Sequence, residues 1–342
     1  MEWLDQIGQH IWFGVTWPIM SLIVPSSQVN IFFLPSSLAV VMCVYLWRRR
    51  RASKIRLRLL LRYLFPRKIL LHPSALLDYK YFIANRMLRA LFYVPLMLSS
   101  VLYDHGIISA LTMIFGPGHA PSAPSWTLTA FATLLFIVAY DFAYWFVHWC
   151  MHRFPLLWEF HKVHHSAEVL TPITALRVHP VEELININMV AAMTGTTHGL
   201  AVYCFGPGAQ QLSLLQLNVV LLVFFFTLYH LRHSHVWLEI KGPLHYVFLS
   251  PAQHQIHHST AKRHLDKNLG YLFSCWDHWF GTVYVPQGRE HLKMGIGVQT
   301  REFNTLWRLY SLPFVKTARR WGPKRGGGAV SSVPETDHHP VA

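Results

Sequence analysis

The chain has 342 residues, of which 52% are hydrophobic and only 13% charged. Soluble chains carry about 25% charged residues, so this one cannot cover a water-facing surface and a membrane is its expected solvent. The formal net charge of +14 does not imply nucleic acid, because much of it lies in RRRRASKIRLRLLLRYLFPRK, residues 48–68, directly after an apolar run. Lys and Arg beside a span mark the cytoplasmic side and attract anionic headgroups.

In chain order, the N-terminus MEWLDQIGQH lacks the basic start of a cleaved signal peptide, so the first apolar run reads as an uncleaved anchor. Residues 11–24 are apolar but short and interrupted by Pro18, which suits a span or an interfacial segment. Residues 31–47 make a better span ending at Arg48–Arg51. The basic segment after it carries Leu at helical spacing, which predicts an amphipathic helix on the membrane surface. Residues 87–103 form a third predicted span, followed by the turn-rich loop GPGHAPSAPS. Residues 126–147 then return; at 1.5 Å per residue they reach about 33 Å, enough to cross. The same arrangement recurs, with 184–205 leading out, GPG at 206–208 turning, and 211–229 returning. The expected fold is therefore all-α: an integral membrane helical bundle with two transmembrane hairpins and a cytoplasmic His-rich helical cap. A multi-pass protein of the bacterial inner membrane is the expected setting. The predicted divisions are an anchor with its basic surface helix at 1–125, a di-metal catalytic domain at 126–285, and a C-terminal segment at 286–342, disordered from about residue 322.

The rest of the chain is arranged to hold HWCMHRFPLLWEFHKVHH, residues 148–165. His148 and His152 are four apart; His161, His164 and His165 follow at spacings of three and four. A helix brings such positions to one face. A second copy, HQIHH, gives His254, His257 and His258. With 23 His in the chain, one HxxHH is expected by chance roughly 0.1 times, so two copies argue for function. Imidazole is the commonest metal-binding side chain, and eight at ligand spacing are too many for one ion. Two ions fit. A zinc pair could do hydrolysis and an iron pair could activate dioxygen; the spacing alone does not choose. The four Cys, Cys43, Cys150, Cys204 and Cys275, are scattered without CxxC, so neither a disulfide frame nor a thiolate site is indicated.

A third cluster, YHLRHSH, falls at the end of the second predicted hairpin. His230 and His233 share a helical face and are expected to complete the centre, with His235 as a replacement for either. His179, in RVHPVEE, is balanced between ligand and outer-shell group. Asp141 lies seven residues before His148, and a carboxylate inside a membrane is costly unless paired. The expected role is to orient a ligand imidazole by a hydrogen bond.

HWCMH, HKVHHS and HQIHHS, then KNLGY and the WDHWFGT that begins at Trp276, resemble the fatty acid hydroxylase/sterol desaturase superfamily over roughly residues 135–285. HHSAEVLTPITALRVHP and YHLRHSHVWL look most like its bacterial sterol-desaturase-like members, and HHSAEVLTPITALR is also similar to the alkylglycerol monooxygenases. The resemblance implies a membrane-bound di-iron oxygenase that hydroxylates or desaturates a lipid C–H bond with dioxygen and two electrons. It implies His148 with His152, then His161, His164 and His165, then His254, His257 and His258 as ligands of two iron ions (Fe2+/Fe3+), zinc serving only as a substitute. His233 matches the family's isolated His. His230 and His235 are extra, and Asn268, Asp277 and Gly281 match signature positions. The chain carries no flavin, nicotinamide or iron–sulfur fingerprint, which implies a separate electron-donor protein. The alternative is a membrane metal transporter or metal-binding protein, which would place acidic ligands along several spans.

Overall fold

The computed structural model describes residues 2–24, 27–28, 30–50, 56–93, 96–118 and 125–321. The expected disordered tail from Gly322, with His338 and His339, lies outside them. The described residues are mostly helical: α1 (Glu2–Met20), α2 (Phe33–Arg48), α3 (Leu57–Leu64), α4 (Arg67–Leu70), α5 (Pro73–Leu88), α6 (Ser100–Phe115), α7 (Trp126–Arg153), α8 (Pro155–His165), α9 (Pro180–Phe205), α10 (Val219–Thr227), α11 (Tyr229–Arg232), α12 (Pro251–His257), α13 (Cys275–Trp279) and α14 (Leu306–Trp321). One two-residue antiparallel hairpin, β1 (Ser213–Leu214) with β2 (Leu217–Asn218), interrupts them.

Helix α7 is the spine. It begins where the Ser125 hydroxyl accepts the Leu128 N–H at 3.1 Å, an ordinary N-cap. It runs 28 residues, about 42 Å. Among the described residues it is the one helix long and apolar enough to cross a membrane. It stops because Pro155 forces Phe154 out of the helical region, to φ −101° and ψ 117°. The same proline is pre-set for the first turn of α8. A single extended residue therefore folds α8 back beside the end of α7. His179–Pro180 starts α9 in the same way, and Ser250–Pro251 starts α12 with a capping box from Gln253.

Helix α9 packs along both α6 and α7. Its contact with α6 is backbone-close at Gly195 and Gly199, a G-x-x-x-G pair. A Cβ on Gly195 would lie 2.1 Å from the Ser100 carbonyl oxygen, and one on Gly199 would lie 2.3 Å from Ile107 Cγ2. Small residues at this spacing let membrane helices approach. The main apolar core joins Phe33 of α2, Ile137 of α7 and Leu221, Leu222, Phe224 and Phe225 of α10. A second core sets Val163 of α8 against Tyr81 of α5 and Phe303 and Leu309 near α14. Exposed apolar side chains, among them Trp12, Met113, Ile114, Phe115, Trp126 and Leu134, cover the outer faces of α1, α6 and the first half of α7. That much exposed apolar surface suits lipid contact.

Two expected spans take other forms. Residues 87–103 are not one helix: α5 ends at Leu88, a π-helical turn covers Arg89–Tyr93, and α6 starts afresh at Ser100. Ser99 caps α6 by accepting the Val101 N–H at 3.2 Å, which sets where that helix begins. The return leg 211–229 is also broken. Asn218 caps α10 by accepting the Val220 N–H at 2.9 Å, so the helix starts late and has only nine residues, about 14 Å. The amphipathic basic helix is present as α3, with Leu57 and Leu61 exposed.

Candidate metal centre

Four segments deliver nine imidazoles to one place. The end of α7 brings His148 and His152, α8 brings His161, His164 and His165, the chain after α11 brings His233, and α12 with its C-cap brings His254, His257 and His258. They sort into two groups, each with ligand atoms within 4.8 Å of one another: His148, His152, His161, His165 and His257 in one, and His164, His233, His254 and His258 in the other. The His-His doublets explain the sorting. Adjacent helical residues point about 100° apart, so His164 and His258 turn to one group while His165 and His257 turn to the other.

Site-facing nitrogens lie close together. His161 Nε2 is 3.1 Å from both His148 Nε2 and His165 Nε2. In the other group His233 Nε2 is 3.0 Å from His254 Nε2, 3.1 Å from His258 Nε2 and 3.3 Å from His164 Nε2. Metal–nitrogen bonds of about 2.1 Å put neighbouring ligand nitrogens about 3.0 Å apart at right angles and about 3.4 Å apart in a tetrahedron. The observed separations fall in that interval, so the donor set fits coordinated ions. His152 Nε2 and His257 Nε2 are buried with no hydrogen-bond partner, as ligand atoms would be. Burial, then neighbouring imidazoles, holds His161, His165, His233, His257 and His258 well below the usual histidine range, and burial pushes His164 down to about 3. Neutral imidazole is the form that binds metal.

Four of the far nitrogens are held as well, whereas those of His164, His233 and His258 are buried without a hydrogen-bond partner. His148 Nδ1 bonds the Leu269 carbonyl at 2.7 Å and His257 Nδ1 the Lys267 carbonyl at 2.9 Å. His161 Nδ1 meets Glu182 at 2.8 Å, and His152 Nδ1 meets Asp266 at 3.0 Å. Such contacts place the hydrogen on Nδ1 and leave the Nε2 lone pair for a metal. His254 differs. Its Nδ1 lies 2.8 Å from Arg232 Nη2, and arginine can only donate. In neutral His254 the ring hydrogen therefore sits on Nε2, and coordination there requires it to leave.

Several expected residues lie elsewhere. His230 belongs to neither group; the helix containing it ends at Arg232, so the chain turns before His233 and the two no longer share a face. His179 caps α9, accepting the Val181 N–H, and its Nε2 meets the Tyr310 carbonyl. His235 bonds the Tyr63 carbonyl at 2.7 Å. Asp141 orients no imidazole. Seven residues put it about 10 Å along the axis from His148, beyond hydrogen-bond reach. Its oxygens instead accept from Leu272 N at 2.6 Å, Phe273 N at 3.2 Å and Trp276 Nε1 at 2.9 Å. The orienting carboxylates, Glu182 and Asp266, were missed because no periodicity links them to the histidines; acidic residues two positions into α9 and in HLDKNLGY were the only signals. Asn268 and Asp277 gain roles. Asn268, at φ 58°, ties the Gln253 carbonyl to Tyr284 N, and Asp277 accepts from Leu269 N, Gly270 N, Trp145 and Thr282. Together they fix the loop whose carbonyls hold His148 and His257.

A vestibule of about 110 Å³ opens onto the centre beside His148, His161, His164, His233 and His254. A larger chamber of about 320 Å³ lies next to it, the two sharing Tyr144, Ala175, Val178, Asn186, Tyr229 and Tyr271 in their walls.

Among the described residues, a helical scaffold with one helix long and apolar enough to cross a membrane holds two converging imidazole groups, each able to hold a metal ion. The family model for fatty acid hydroxylases matches residues 133–282, a segment that carries all nine grouped histidines, in agreement with the superfamily its motifs resemble. An alkylglycerol monooxygenase of Caenorhabditis elegans is 26% identical over 169 residues, 49% of this chain and 30% of the relative. Ornithine lipid hydroxylase OlsE of Rhizobium tropici is 27% identical over 168 residues, 49% of this chain and 46% of the relative. A very-long-chain aldehyde decarbonylase, GL1-5, of Oryza sativa subsp. indica is 23% identical over 192 residues, 53% of this chain and 30% of the relative. The chain thus spans less than half the length of these relatives. No solved structure matches it.

Proposed function

We propose that this chain is a multi-pass membrane oxygenase that holds two iron ions and hydroxylates a lipid, with the histidine cap on the cytoplasmic side of the membrane. The observation that carries the reading is the pairing of two imidazole groups through shared His-His doublets, with a vestibule opening onto both. Bound iron would supply the activation of dioxygen for attack on an unactivated C–H bond. His148, His152, His161, His165 and His257 would hold one ion and His164, His233, His254 and His258 the other. Glu182 and Asp266 keep His161 and His152 in the metal-binding tautomer. Tyr144, Ala175, Val178 and Tyr271 give an alkyl chain an apolar and aromatic passage to the centre. Two electrons come from a separate donor protein. Hydroxylation is favoured over desaturation by the names of the relatives, a monooxygenase and a lipid hydroxylase. The gathering of imidazoles at the end of α7, rather than of acids along several spans, favours an oxygenase over a metal transporter.

Elemental analysis of the protein purified from iron-replete cells tests this. About two irons per chain are expected, falling sharply in His257→Ala. Lipid extracts of cells with and without the gene should differ by species that have gained one oxygen. A metal-free preparation that still produces those species would overturn the reading.

A further inference from the structure

Among the described residues, the larger chamber is lined by more positive than negative charge. Three charged side chains line it: Arg86, Arg89 and Glu183. Glu183 is taken on both oxygens. Arg89 Nη1 donates to Oε1 at 2.8 Å and Asn85 Nδ2 to Oε2 at 3.1 Å. Arg86, one helical position past Asn85 on α5, is half-buried, and its guanidinium rests 5.6 Å from the centre of the Phe82 ring. Two arginines against one glutamate leave one unit of positive charge on the chamber wall, where a partner anion is attracted more strongly than in bulk water.

The same walls hold unsatisfied acceptors. Asn85 Oδ1, Asn186 Oδ1 and Ser27 Oγ are buried without a hydrogen-bond partner, and all three residues line the chamber. Gln28 is spent on the two tyrosines at the boundary with the vestibule: it accepts from Tyr229 at 2.9 Å and donates to Tyr271 at 3.4 Å. Beyond those tyrosines the vestibule faces the imidazoles. The two adjoining cavities are thus cationic and rich in free acceptors at one end, aromatic where they share walls, and lined by imidazoles at the other.

We propose that this chamber is a headgroup site and that the substrate is a lipid whose head carries a single negative charge together with a neighbouring N–H or O–H donor. Arg86 pairs with the anion, while Asn85 and Asn186 accept from the donor. The alkyl chain passes Tyr229 and Tyr271 towards the imidazoles, so that the distance from head to centre selects which carbon is presented. This specificity rests on the oxygenase reading, but the binding step needs no turnover.

Isothermal titration calorimetry of the full-length protein in neutral detergent tests it with three probes: N-palmitoylglycine, its uncharged analogue N-palmitoylglycinamide, and chainless N-acetylglycine. The wild type should bind the carboxylate at least ten-fold more tightly than the amide and than N-acetylglycine. Arg86→Gln should erase the preference over the amide while leaving amide affinity unchanged, and Arg86→Lys should restore part of it. Equal wild-type affinity for carboxylate and amide overturns the proposal without needing any variant to fold. A preference undiminished in Arg86→Gln also overturns it, and N-acetylglycine binding as tightly as the acyl form would make the ligand a free anion instead of a lipid. Iron measured on the same samples separates the two readings: anion selectivity without bound iron sinks the oxygenase alone, and bound iron without selectivity sinks the headgroup site alone.

Discussion

Asp141 shows how a single buried carboxylate can serve the centre without touching it. Its two oxygens accept three donors from the 272–276 segment, and that segment follows directly on the loop carrying the Leu269 and Lys267 carbonyls. Asp141→Asn replaces one acceptor with an N–H donor, so at least one buried N–H loses its partner, at about 1–3 kcal/mol each. The expected outcome is a lower unfolding temperature with metal content retained in the folded fraction. Loss of metal at unchanged thermal stability would restore the direct orienting role expected from its position in the sequence. Glu182 is the opposite case. It contacts His161 directly and belongs to a different helix, so its function follows from where α9 begins.

At the scale of elements, the centre depends on three proline-initiated helices and one close helix contact. Pro155 turns α8 back after a single residue, and Pro180 and Pro251 set the starts of α9 and α12. The α6–α9 contact then fixes the axial position of α9, and with it Glu182. In Gly195→Ala the added methyl meets a backbone oxygen at 2.1 Å, which cannot rotate away. We expect a loss of about 1–3 kcal/mol from overpacking, seen as a lower unfolding temperature and accompanied by reduced metal retention. Gly106→Ala is the matched control, because nothing lies within 4 Å of its Cβ position; it should be neutral or slightly stabilising. Equal behaviour of the two variants would show that the close contact does not set the stability of the pair.

For the whole molecule, the buried imidazoles make folding depend on acid and on metal together. The folded chain keeps them neutral, with His164 down at about 3, whereas in the unfolded chain each protonates near its ordinary value of about 6.5. Unfolding therefore takes up protons below that value, and acid favours the unfolded state. Each such group removes about 1.4 kcal/mol of stability per pH unit below about 6.5 until its folded value is reached. Metal-depleted protein should thus lose thermal stability steeply between pH 7 and pH 5, and loading with iron should raise the midpoint at pH 7. A metal-depleted midpoint that stays flat across that range would contradict neutral burial of the cluster.

Which histidines come together was largely legible in the sequence, because helical spacing is a local property: HWCMH, HKVHH and HQIHH each fix their own faces. Eight of the nine grouped imidazoles, together with His233 from the family pattern, could be named that way. His230 could not be separated from His233, because the helix stop at Arg232 is set by packing rather than by any proline or glycine. The broken legs at 87–103 and 211–229 show the same limit: apolar content gives the length of a run, while Asn218 and the π-helical turn decide where a helix can continue. The division of nine histidines into two groups, the carboxylates behind them and the chamber around Arg86 all join residues 13 to more than 200 positions apart. Local spacing determines which side chains share a helical face, and only the packing of helices onto one another decides which of those faces meet.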